Sequence, residues 1–125
     1  MIGIDLVHIP RMERFLAKYQ EKALQRFLHK EEIALVHNHT TAAGFWAIKE
    51  ALSKALGSGI GEDCSFFDIK IYKDKRGAPK VALSRKLIQT FNIIDVACSI
   101  THHGDYAVGV VTIEVSSPTN KIQEF

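Results

Sequence analysis

Residues Phe45 to Ile60, FWAIKEALSKALGSGI, constrain the chain more than any other stretch. Wound as a helix at about 100° per residue, they gather Phe45, Ile48, Leu52, Ala55 and Leu56 on one face and Lys49, Glu50, Ser53 and Lys54 on the other. One face is core; the other is chemistry or solvent. Thr40 or Thr41 is expected to cap the start, and Gly57 with Gly59 to end it. Glu50 reaches Ser53 at i+3 and Lys54 at i+4, so a carboxylate, a hydroxyl and an ammonium share one strip. As an intrahelical pair alone, Glu50 and Lys54 contribute only about 0.2–0.5 kcal/mol. With Ala and Leu filling its interior, the helix needs no particular order of charges.

Upstream, Ile2, Ile4 and Leu6 alternate with Gly3, Asp5 and Val7, which predicts a strand carrying Asp5 on the face opposite the isoleucines. A carboxylate there is costly to bury unless it meets a cation or a metal. Pro10 suits the first turn of a following helix. On that helix Arg11, Arg14 and Lys18 form a basic strip beside Met12, Phe15 and Tyr19. The strip is either a solvated flank or a dock for a small acidic protein, with cations steering the encounter and Met12 or Phe15 making apolar contact. Two short helices meeting near Leu28–Lys30 are expected within Lys22 to Asn38.

Downstream, Gly57-Ser58-Gly59-Ile60-Gly61 fits neither a P-loop nor a dinucleotide fingerprint, and it follows a helix whose C-terminal end repels phosphate. A glycine cap accounts for it. Cys64 to Lys73 and Pro79 to Leu83 alternate around an Asp74–Gly77 turn and predict a hairpin. Ser84 caps a short helix through Phe91, and Asn92 stops it. Ile94–Thr101 and Tyr106–Val115 form a second antiparallel pair around His102-His103-Gly104-Asp105. The fold class is α+β: an antiparallel sheet packed against the long central helix and shorter helices.

Composition bounds function. The 125 residues, 46% hydrophobic and 24% charged, suit a single domain over 1–125, with 116–125 a loosely held tail. A net charge of +2 does not support bulk nucleic-acid binding. Cys64 and Cys98 lie far apart without a CxxC, and neither His37-Asn38-His39 nor His102-His103 has zinc spacing, so reduced thiols and surface histidines are expected. Asp5 and His8 interrupt the opening apolar run, and no stretch approaches the ~20 apolar residues that cross a bilayer. The expectation is a cytoplasmic protein with no membrane partner.

FWAIKEALSKALGSGI resembles the FxxKEAxxKAxGxGI segment of the small 4'-phosphopantetheinyl transferases of the holo-acyl-carrier-protein synthase type. GIDLVHIPRM at Gly3–Met12 and SITHHGDYAVGVV at Ser99–Val111 agree in order and spacing with two further family motifs. The resemblance implies transfer of 4'-phosphopantetheine from coenzyme A to a serine of apo acyl carrier protein. Adenosine 3',5'-bisphosphate is released, and the reaction serves fatty acid biosynthesis. It implies that Asp5 and Glu50 hold Mg2+ and act with Lys54 in catalysis, while Lys49, Ser53, Gly57, Ser58, Gly59 and His102 serve the coenzyme. Arg11, Met12, Arg14, Phe15 and Lys18 would bind the carrier protein, and homotrimers with active sites between subunits would form. The general base stays open among a metal-bound water, Glu50 and a carboxylate of the carrier.

The sequence departs from the family pattern in three places. His8 stands where an acid is common, Val7 occupies the second position of the Asp-x-Glu pair of larger transferases, and Phe45-Trp46 replaces a frequent Arg-Phe. The last removes a charge that could meet a coenzyme phosphate. The competing expectation is a noncatalytic module that holds an acidic protein on the Arg11–Lys18 face, with Glu50 and Lys54 merely paired.

Overall fold

The computed structural model describes residues 1–116 and 122–125. Strand β1 (Ile2–His8) runs directly into helix α1 (Ile9–Tyr19), with Pro10 in its first turn. Two short helices, α2 (Glu21–Gln25) and α3 (Lys30–Ile33), lead to the long helix α4 (His39–Ala55). A 3-10 turn at Phe66–Asp68 precedes the hairpin of β2 (Ile69–Lys73) and β3 (Pro79–Leu83), then α5 (Arg85–Phe91), β4 (Ile93–His103) and β5 (Tyr106–Val115). This is the α+β arrangement expected. Ser84 caps α5 through Leu87 N, and Asn92 stops it in the left-handed region at φ 56°.

The start of α4 differs from expectation. Asn38, not Thr40 or Thr41, is the cap, its Oδ1 accepting the Thr41 amide at 2.9 Å. At the other end Gly57 turns at φ +78° and Gly59 at φ +67°, conformations that release the chain from the helix without a Cβ clash.

β1, β5 and β4 form an antiparallel sheet in that order; β2 and β3 form a separate two-stranded one. α4 crosses the inner face of the larger sheet obliquely. Gly44 approaches Ile100 on β4, Ala47 and Ile48 approach Gly109 on β5, and Ala51 and Ala55 approach Gly3 on β1. An alanine ridge at 47, 51 and 55 thus meets glycines on two strands. Backbone lies against backbone, which explains why the aliphatic side of β1 faces away. Gly3, Asp5 and Val7 share the helix side, whereas Ile2, Ile4 and Leu6 are 60–70% exposed on the outer face.

α4 is buried far beyond its apolar stripe. Phe45, Ile48 and Leu52 lie in the core as expected, but Lys49 and Ser53 are fully buried too. The face read as chemistry or solvent narrows to half-buried Glu50 and exposed Lys54. Both cysteines are free, and burial pushes the Cys64 thiol up to about 11, so it stays protonated at neutral pH. Ser116 N donates to Asn92 O, and residues 122–125 are exposed without regular structure. Residues 117–121 of the expected tail lie outside the described residues. Among the described residues no helix is long and apolar enough to cross a membrane.

Candidate active site

Asp5 enters the site because β1 turns its helix-side residues toward the C-terminal half of α4. Lys54 Nζ donates to Asp5 Oδ1 at 2.8 Å and, more weakly, to Ile4 O at 3.4 Å. Asp5 is the more sheltered partner, its side chain 14% exposed against 52% for Lys54. Glu50, one turn before Lys54, completes the cluster. Partial burial raises its pKa first, the neighbouring Asp5 charge raises it further, and Lys54 opposes both. The pKa of Lys54 is also raised, chiefly by its hydrogen bond to Asp5.

These three side chains line one end of a cleft of about 780 Å³. Trp46 and Phe66 make an aromatic wall, their ring centroids 4.8 Å apart, with Phe27 packed edge-on behind Trp46 at 4.9 Å. Arg11, Met12 and Phe15 from α1 line the same cleft, as does Arg26, whose guanidinium lies over Tyr19 at 4.5 Å and Phe15 at 5.5 Å. Met12 is 5% exposed, so it backs the cleft rather than projecting as a docking contact. Arg14 and Lys18 are exposed on α1 outside the cleft.

The other residues expected to serve the coenzyme are placed elsewhere. Lys49 donates to Phe27 O at 2.7 Å, Glu32 Oε1 at 2.8 Å and Phe66 O at 2.9 Å. Its three ammonium donors are thereby committed inside the protein, and none faces a phosphate. Desolvation lowers its pKa while Glu32 opposes that shift. Ser53 is buried and donates to Glu50 O at 2.7 Å. The Ser58 and Gly59 amides both donate to Ser53 O, so this loop caps α4 and, with Gly57, lies outside the cleft lining. His102 is exposed at the hairpin end of β4, separated from β1 by β5.

Glu32, Arg26 and Phe66 escaped the sequence reading. No functional motif marks them: Glu32 is a buried acid at the end of the polar run His29-Lys30-Glu31-Glu32, its counter-charge lies 17 residues away, and Phe66, expected in a strand from Cys64, lies in the 3-10 turn before β2. Asp5 and Glu50 offer two hard carboxylate donors of the kind that magnesium takes. Among the described residues no three His, Cys, Asp or Glu side chains converge as a cation site. Asp5 and Glu50 line the same cleft, burial and then the Asp5 charge raise the pKa of Glu50, and Mg2+ is ordinarily held by one or two carboxylates plus waters and phosphate oxygens. The residues fit the ion.

The chain belongs to the 4'-phosphopantetheinyl transferase superfamily, which it matches over residues 1–111. Its relatives are of the small holo-(acyl-carrier-protein) synthase type. It is 56% identical over 122 residues to the holo-(acyl-carrier-protein) synthase of Sulfurimonas denitrificans, covering 98% of this chain and 100% of that one. The Helicobacter pylori holo-(acyl-carrier-protein) synthase in complex with coenzyme A superposes with a TM-score of 0.88 at 44% identity, covering 91% of this chain and 100% of that one. The Bacillus anthracis synthase, in complex with coenzyme A (3',5'-ADP), gives 0.77 at 36% identity, covering 92% and 96%.

Proposed function

We propose that the chain transfers 4'-phosphopantetheine from coenzyme A to a serine of apo acyl carrier protein and so serves fatty acid biosynthesis in the cytoplasm. One observation carries the reading: the packing of β1 on α4 brings Asp5, Glu50 and Lys54 to one end of a cleft that α1 also lines. Asp5 and Glu50 would hold Mg2+, which supplies charge neutralisation at the pyrophosphate. Lys54, long and exposed, can swing from Asp5 to a phosphate oxygen and set its positive charge against the negative charge that develops there. The serine oxygen bonds to the phosphorus bearing the pantetheine arm as its proton passes to a general base, for which Glu50 and a carboxylate of the carrier are the protein candidates. The bond to the bridging oxygen breaks, and adenosine 3',5'-bisphosphate leaves with that electron pair.

The aliphatic outer face of β1 supports assembly into the homotrimer expected from the family. A contiguous apolar surface formed by Ile2, Ile4 and Leu6 is the kind that another subunit covers. In such an assembly His102 of a neighbouring copy, remote from the cleft within one chain, serves the coenzyme site, as does the Gly57–Gly59 loop. Light scattering should return three times the 14.0 kDa chain mass. A monomer would remove the basis for shared sites.

The direct test is intact-protein mass spectrometry of apo acyl carrier protein incubated with this chain, coenzyme A and Mg2+. A gain of one phosphopantetheinyl unit, absent with EDTA, is expected. Carrier binding without a gain would instead identify the noncatalytic module. Docking is tested separately by Arg14→Glu. This exposed cation lies outside the cleft, so the variant is expected to raise the Michaelis constant for the acidic carrier about tenfold while leaving coenzyme A affinity unchanged. An unchanged constant for the carrier would remove Arg14 from the docking face.

A further inference from the structure

Lys49 and Glu32 form a fully buried ion pair, and its connections lead to the cleft. Lys49 donates to the carbonyls of Phe27 and Phe66, the two residues whose rings pack against Trp46. Trp46 lies one helical turn before Lys49, and Trp46 and Phe66 wall the cleft. Glu32 anchors the other side, its Oε1 also accepting the His29 amide at 2.7 Å and its Oε2 the Ile71 amide at 2.8 Å. One ammonium therefore joins α4 to the α2–α3 corner and to the turn before β2. Such a pair is weak support for stability alone, since desolvation offsets much of its attraction. Its geometry, two aromatic residues gripped by their backbones, suits placement of the wall.

We infer that Lys49, held by Glu32, is a positioning residue that fixes the Phe27–Trp46–Phe66 wall against which the carrier protein seats its acceptor segment. The carrier is assigned to this wall because Arg11, Phe15 and Arg26 line the same cleft and offer an acidic partner both charge and apolar surface. The inference rests on the transferase reading for its partner, but the clamp itself is a property of the folded chain.

The test exploits Trp46, the one tryptophan of the sequence. In Lys49→Met/Glu32→Gln no charge is buried, and the glutamine can still accept a backbone amide, while the Phe27 and Phe66 carbonyls lose their shared donor. At a temperature where circular dichroism shows a native fold, Trp46 emission is expected to shift to the red. The Michaelis constant for the carrier is expected to rise about tenfold with coenzyme A affinity unchanged. Glu32→Gln alone strips the buried ammonium of its counter-charge and is expected to lower the melting temperature, but at a temperature where circular dichroism shows it folded Lys49 still donates to both carbonyls, so its emission should remain that of the wild type and the constant within about twofold. Should the double variant not fold, Lys49→Gln/Glu32→Gln, whose amide reaches one carbonyl, should show a rise of about threefold and a smaller red shift. Wild-type emission and carrier use in the folded double variant, or a shift in Glu32→Gln equal to it, would overturn the inference. If the wild-type chain modifies no carrier, the transferase reading fails while the emission arm still decides the clamp.

Discussion

Replacing Glu50 with Gln is expected to reduce transfer by about 10²–10³-fold or more while leaving the chain folded and, at neutral pH, slightly more stable. The two effects have one origin. Glu50 is held half-buried beside Asp5, so its folded pKa lies above its unfolded one. Between the two pKa values the folded state binds the proton more tightly. The associated stability is therefore present at low pH and lost as pH rises through the raised value. At neutral pH the ionised carboxylate is a strained asset, useful for a cation and costly without one. Gln removes both the cost and the ligand. Thermal melts from about pH 4 to pH 7 should show the variant gaining on the wild type as pH rises, because the two proteins are most alike where Glu50 is protonated. Asp5→Asn is expected to lose activity to a similar degree, and it also takes the anionic partner from Lys54. Carrier mass shifts over time measure the rate, and added Mg2+ should raise the melting temperature of the wild type but of neither variant. Full transfer by both variants would sink the metal assignment.

The periodicity of the chain identified α4, the capping serine and terminating asparagine of α5, and both hairpins, because each depends on residues close in sequence. Asp5 came from the first of three ordered motifs and Glu50 and Lys54 from the second, and the structure brings them together. What escaped depends on distant partners. A helical wheel puts Lys49 and Ser53 beside Glu50 and Lys54, yet it cannot register that a second packing layer, from the α2–α3 corner and β2, covers that flank. Only Glu32 makes a buried lysine tolerable there. His102 is a different case. Its strand-end position was legible, but one chain leaves it far from Asp5, and any role for it in the cleft needs another copy. The outward turn of Ile2, Ile4 and Leu6 likewise follows from how near the helix comes to the sheet, which alternation does not record.

That nearness makes Gly3 and Gly109 the most demanding positions in the fold. A Cβ on Gly3 would lie 1.8 Å from Ala51 O and 2.6 Å from Ala55 N; on Gly109 it would lie 2.6 Å from Ala47 C and 2.7 Å from Ile48 N. The obstructing atoms are helix backbone, which cannot rotate aside as a side chain can. Gly3→Ala and Gly109→Ala are each expected to cost about 3 kcal/mol or more, read from urea midpoints. Gly61→Ala is the control, since nothing lies within 4 Å of its Cβ, and it should be near neutral. Activity separates the two severe variants. Gly3 is two residues from Asp5, and Ala51 follows Glu50, so forcing β1 from α4 at this point widens the gap that sets the two carboxylates and Lys54 together. Gly109 is the strand partner of Asp5, but it presses on α4 at Ala47 and Ile48, a turn before Ala51 and Lys54, so it disturbs the cluster from the strand side alone. Compared at a temperature where both remain folded, Gly3→Ala should slow transfer more than Gly109→Ala and weaken the response of the melting temperature to Mg2+. A Gly3→Ala protein with the wild-type urea midpoint would show that the sheet and helix have room to separate, and the close packing could not then be what holds Asp5 against Glu50.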